Sequence, residues 1–155
     1  MVNHSIRLSS WFSLTFAVSS MGFVQESQGA RETDRFIDKA TTCLATNIYH
    51  EARGESLAGQ RAVADVTLNR VTSPRWPNQV CAVVWQPYQF SWTNDNHSDV
   101  MVNAHARRVS YVIALEALSQ PRVTEATHYH ADYVQPYWAK HLQYIESIGQ
   151  HKFYK

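Results

Sequence analysis

Glu51 lies in the run Asn47-Ile-Tyr-His-Glu-Ala-Arg-Gly54, where helical spacing puts it on one face with Ile48, Asn47 and Leu44. That face is largely apolar, so Glu51 is expected to point inward. Withdrawing a carboxyl group from water penalises its charged form and raises its pKa above the usual ~4.3. Such a group keeps its proton and can donate it, which is the work of a general acid in glycosidic cleavage. His50-Glu51 also opens like a zinc-binding helix motif, but Arg53 and Gly54 stand where a second histidine is needed. His128 and His130 with Asp132 are the other potential metal set. A pair of this kind is more often solvated or hydrogen-bonded, so no metal and no cofactor is expected. No nucleophilic serine or cysteine motif and no glycine-rich phosphate loop is present.

A helix from about Ala40 to Arg53, with Thr33 or Asp34 capping a short helix before it and Gly54 as its stop, would carry Glu51. A second helix, Ala58 to Val71, sets Val63 and Val66 on one face and Ala64, Leu68 and Val71 on another, so it is expected to be buried most of the way round. Pro74 and Pro77 bracket a loop, and Val80 to Trp85 reads as a strand or a short helix. Gln89 to Asp95 alternates aromatic and polar residues, as an extended segment would. Helical spacing returns from Asp99 to Ser119, with Pro121 ending it. The remainder is β-like: Ala126 to His130, then His141 to Ile148 and His151 to Tyr154 as a hairpin about Gly149-Gln150. Helices first and a small antiparallel sheet later make the class α+β.

Residues 1–30 differ from the rest. Arg7 precedes an uncharged stretch from Trp11 to Val24, followed by polar and small residues to Ala30. This is the pattern of a secretory signal peptide or an N-terminal anchor, and its apolar part falls short of the ~20 residues of a membrane span. Residues 31–155 then form one domain, expected to be exported to the periplasm or cell envelope. Cys43 and Cys81 are the only cysteines, and in an exported chain the pair reads as a disulfide. The net charge of +1, without a basic run, gives no preference for nucleic acid or anionic membranes.

Several motifs in order resemble a known family. They are Cys43-Leu-Ala-x-Asn47-Ile-Tyr49-x-Glu51-Ala-Arg-Gly54-Glu, Gly59-Gln-x-Ala-Val-Ala64, Leu68-Asn-Arg-Val71, Trp76-Pro77, Val80-Cys81, Gln89-Phe-Ser-Trp92, Ala126-Thr-His-Tyr129 and Ile148-Gly-x-His151-x-Phe-Tyr154. From Cys43 to Tyr154 the chain resembles the spore-cortex-lytic and cell-wall hydrolases of SleB type. The resemblance implies a lysozyme-like catalytic domain, with helices around a catalytic helix and a small sheet, acting on peptidoglycan through Glu51. No nucleic-acid partner is expected, and a monomer is.

Lysozyme-type hydrolysis needs a second carboxyl group, ~5 to 5.5 Å away for retention or ~6.5 to 9.5 Å for inversion. Glu55 is expected to be exposed beside Arg53 or Arg61, Asp65 to pair or cap, and Asp95 to sit in a loop. A lytic transglycosylase needs no second carboxylate, because the muramoyl 6-hydroxyl attacks the anomeric carbon and one glutamate serves as acid and then base. That chemistry is the expectation, with lysozyme-type hydrolysis or a zinc amidase built on His128, His130 and Asp132 as alternatives, and a non-catalytic wall-binding protein as another class. Phe90, Trp92, Tyr129 and His128 are the candidate substrate-binding residues, although single aromatic rings more often fill cores. Asn69 is expected to satisfy backbone groups of a neighbouring loop, and Arg53 and Arg70 to form structural pairs.

Overall fold

The computed structural model describes residues 39–155; the expected export segment 1–30 and the caps at Thr33 or Asp34 lie outside them. Helix α1 covers 39–52 and ends in a turn at Arg53 and Gly54. Ser56 starts the next helix, α2 (Leu57–Val71), by accepting the N–H of Gly59 on its hydroxyl at 3.2 Å. Then come α3 (Val80–Val84), a 3-10 turn Ser91–Asn94 and α4 (Ala104–Ser119). Strand β1 (His128–Ala131), a 3-10 turn Tyr137–His141, β2 (Tyr144–Ile148) and β3 (His151–Tyr154) complete the chain. The sheet is antiparallel in the order β1-β3-β2, with Tyr129 opposite Phe153. Gly149, at φ +59°, supplies the left-handed residue of the β2–β3 turn.

Helix α2 is the centre of the described domain. Ala64 and Leu68 join Leu44, Ile48, Trp92 and Ile113 in a core among the helices. Val63 and Val66 join Ala52, Ala126 and Phe153 in a second core against the sheet. The two faces read from the sequence are thus the two faces buried, and each fully buried Val or Leu among them contributes on the order of 1.5–3 kcal/mol.

One segment left open between strand and short helix is decided, and two others differ from expectation. Val80 to Trp85 resolves as helix, with Cys81 bonded to Cys43 across a Cα separation of 5.3 Å. Gln89 to Asp95 is not extended beyond Phe90, because Thr93 Oγ1 and Asn94 Nδ2 both donate to the Phe90 carbonyl and close a 3-10 turn. Helix α4 begins five residues late, at Ala104, since Asn103 accepts the Ala106 N–H on its side chain at 3.0 Å and donates its own N–H to the Tyr49 hydroxyl.

Candidate active site

Glu51 stands on the last turn of α1, and its inward neighbours Leu44, Asn47 and Ile48 are fully buried. Asn47 fixes the helix rotation. Its amide donates to Thr67 Oγ1 of α2 and accepts from Trp92 Nε1, each at 3.2 Å. Glu51 itself is half-buried at the wall of an open cleft of about 340 Å³, lined also by His50, Glu55, Tyr133, Gln150 and His151. Strand β1 presents Tyr129 directly against it, and the Tyr129 hydroxyl donates to Glu51 Oε2 at 2.7 Å.

The electrostatics follow from this placement. Burial raises the pKa of Glu51, while the hydrogen bond from Tyr129 and the nearby charges of Arg70 and His50 pull the other way without cancelling it. Burial, then the charge of Glu51, pushes the Tyr129 hydroxyl well above its ordinary value, so it stays a donor. Arg70 is buried beneath the pair. Its Nε donates to the Thr127 carbonyl at 2.8 Å, and its guanidinium lies 5.4 Å from the Phe90 ring centre and 5.8 Å from that of Trp76. Burial lowers its pKa, opposed by Tyr129 and Glu51. The arrangement is a proton-retaining carboxyl group with a fixed donor on one oxygen and a buried cation nearby.

The other expected residues are distributed differently. Tyr129 reaches Glu51, but Phe90 and Trp92 are 3% and 7% exposed and offer no open face for a sugar ring. Trp92 is stacked on His50 at 4.6 Å and met edge-on by Trp85, and the need to bond its indole N–H inside the core carries it to Asn47. These two residues therefore shape the wall behind the cleft, which corrects the expectation that they stack on sugars. His128 alternates with Tyr129 along β1 and so turns to the other side of the sheet. There its Nδ1 lies 3.0 Å from Thr127 Oγ1, and burial, then Arg70 and Arg75, bring its pKa down to about 4. His130 has both ring nitrogens engaged, by the Ala131 carbonyl and the Tyr154 hydroxyl. Among the described residues no group of three His, Cys, Asp or Glu side chains could hold a metal ion.

Of the remaining carboxyl groups, Asp65 is held by Arg61 Nε at 3.2 Å and by the Val123 N–H, and Asp95 is exposed beside His97. Glu55 is the surprise. Its side chain is 10% exposed rather than solvated, its Oε2 accepts the Gln150 N–H at 3.0 Å, and its Oε1 lies 4.0 Å from His151 Nδ1. A side chain on Gly149 would collide with it. Burial lowers the pKa of His151, against the charges of Glu55 and Asp132. The glycine turn was the only local signal of this contact, which spans most of the domain in sequence. Asn69 behaves as expected, donating to the carbonyls of Thr124 and Ala126. Arg53 turns back on its own helix, bonding the Tyr49 carbonyl and lying over the Tyr49 ring.

Helices packed about α2, with Glu51 on one of them and a three-stranded sheet on the other side of α2, define an α+β domain of lysozyme-like class. The chain belongs to the Cell Wall Hydrolase family, whose sequence model matches residues 54–154, beginning just after Glu51. It is 31% identical over 131 residues to a spore cortex-lytic enzyme of Bacillus subtilis, covering 83% of this chain and 42% of that protein. It is 33% identical over 142 residues to the enzyme of the same name from Halalkalibacterium halodurans, with the same coverages. The chain thus spans less than half the length of these relatives. Among solved structures it resembles the catalytic domain of the germination-specific lytic transglycosylase SleB from Bacillus anthracis, at a TM-score of 0.64 and 31% identity, over 75% of this chain and 93% of that one. The catalytic domain of Bacillus cereus SleB gives the same TM-score at 33% identity, over 76% of this chain and 91% of that one.

Proposed function

We propose that this protein cleaves the glycan strands of peptidoglycan between N-acetylmuramic acid and N-acetylglucosamine as a lytic transglycosylase, with Glu51 as its single acid and base. The observation that carries the reading is the Glu51 carboxyl group, half-buried, proton-retaining and held by the Tyr129 hydroxyl at 2.7 Å on the cleft wall. The similarity to the catalytic domain of a lytic transglycosylase supports it.

Glu51 donates its proton to the glycosidic oxygen as the bond to the muramoyl C1 breaks, and positive charge develops at that carbon. The ionised Glu51, stabilised by Tyr129 and by the charge of Arg70, then takes the proton of the muramoyl 6-hydroxyl while O6 bonds to C1. The product is a 1,6-anhydro end, and Glu51 finishes protonated. No water is consumed. Hydrolysis would need a second carboxylate to activate water, and Glu55 lines the same cleft. Its bond to the Gln150 N–H ties that carboxyl to the β2–β3 turn, so transglycosylation is the reading favoured. The amidase alternative has no comparable support, because both nitrogens of His130 are engaged. An envelope location suits the substrate and the Cys43–Cys81 disulfide, and the 1–30 segment is assigned to export on the same grounds.

Mass spectrometry of digested, purified peptidoglycan tests the chemistry. Anhydro-muramic ends are expected, and reducing muramic ends or freed peptides would reject it. Glu51→Gln is expected to lower the rate by about 10²–10⁴-fold or more, the usual range for losing a general acid.

A further inference from the structure

The sheet has a second face, turned away from Tyr129 and Phe153. Strand pairing sets His130 beside Lys152 and His128 beside Tyr154 on that side. The 3-10 turn Tyr137–His141 packs there through Trp138, whose ring centre lies 5.4 Å from His128 and 5.6 Å from Tyr154. Beside this turn runs a groove of about 570 Å³, against about 340 Å³ for the cleft at Glu51.

Its floor is rigid. His130 stacks on Tyr154 at 5.2 Å and 23°, and its Nε2 lies 3.0 Å from the Tyr154 hydroxyl. Its rim is cationic and aromatic: Tyr137 is 74% exposed, the Lys140 ammonium sits 3.8 Å from the centre of that ring, and Lys152 lines the groove as well. No carboxylate is among the lining residues, and among the described residues neither lysine is in an ion pair. The groove near the chain's end is different, for there Arg122 and Lys155 are matched by Glu125 and Glu146. Two ammonium groups with no acid between them, beside an open tyrosine face and the Gln135 amide, fit a carboxylate carried on a chain with apolar parts.

We infer that this groove is a second binding site for peptidoglycan, taking a stem-peptide carboxylate between Lys140 and Lys152 while Tyr137 packs against the chain that bears it. The inference rests on the reading of peptidoglycan as the substrate polymer. Its occupant supplies the charge the groove lacks, and it lies on the opposite side of the sheet from Tyr129, so one polymer can be held there while Glu51 acts on another stretch.

Sedimentation of the full chain with purified, insoluble peptidoglycan tests this, in a Glu51→Gln background so that the polymer stays intact. Adding Lys140→Gln and Lys152→Gln is expected to weaken binding about tenfold, and Lys140→Arg with Lys152→Arg to retain it. The difference between parent and double Gln variant should vanish at about 1 M salt, where charges more than ~3 Å apart are screened. It should vanish too on glycan stripped of its stem peptides. Equal binding of parent and double Gln variant to intact polymer at low salt would overturn the proposal, as would an undiminished difference on stripped glycan. Failure of the catalytic reading shows up separately, as cleavage that survives Glu51→Gln with the lysines intact.

Discussion

The role proposed for Glu51 sets two requirements: the group must hold a proton and must give it up. Burial supplies the first, and the Tyr129 hydroxyl with the Arg70 charge supplies the second by stabilising the carboxylate left behind. Tyr129→Phe removes a contact that favours the ionised form, so the pKa of Glu51 rises further. The fall of kcat/KM at alkaline pH is therefore expected to move to higher pH, with kcat lowered about ten- to hundredfold by looser positioning. A pH-rate profile of both proteins measures it. Stability responds with a sign that can be worked out. The folded pKa of Glu51 is raised, so its contribution is fully present below the unfolded value and is lost as pH rises through the folded one. Glu51→Gln, which keeps an acceptor for Tyr129, should raise Tm at pH 7 and leave it nearly unchanged at pH 4, read by calorimetry. The inward direction of Glu51 was legible from its spacing to Asn47 and Leu44. Its bond to Tyr129 was not, because 78 residues separate the two and no local pattern encodes a contact so distant.

Among the elements, α1 is anchored twice, by Asn47 to α2 and by Cys43 to α3. The disulfide closes a sequence separation of 38 residues, for which chain entropy gives on the order of 4 kcal/mol. Cys43→Ala with Cys81→Ala should lower stability by about 3–4 kcal/mol in urea denaturation, with a somewhat larger m-value because the unfolded chain, freed of its cross-link, exposes more surface. Helices and the β2–β3 hairpin were readable because period and turn residues agree: Gly54 after α1, and Gly149 at positive φ in the turn. The stretch around Phe90 and Trp92 misled because inward rings alternating with outward polar residues fit a strand and a short 3-10 turn alike. Here both rings go inward while Thr93 and Asn94 cap the backbone between them. Asp99 to Asn103 failed as helix for a related reason, since the Asn103 side chain bonds Ala106 and sets a later start.

For the whole molecule, the α+β class and the central place of α2 followed from the sequence, because a helix with two apolar faces has to be covered on both. The groove on the sheet's outer face was not legible, as it arises from strand pairing that brings Lys152 beside His130. Since α2 lends Val63 and Val66 to one core and Ala64 and Leu68 to the other, loosening either core exposes the same helix. Thermal unfolding of the domain should then be a single transition with calorimetric and van't Hoff enthalpies equal within error, and two resolved transitions would show the cores to be independent. The same shared helix has a mechanical consequence. The elements bearing Glu51 and Tyr129 both pack on that one rod, so the spacing of the two side chains is gauged by a single helix, and a shift of that helix would part them.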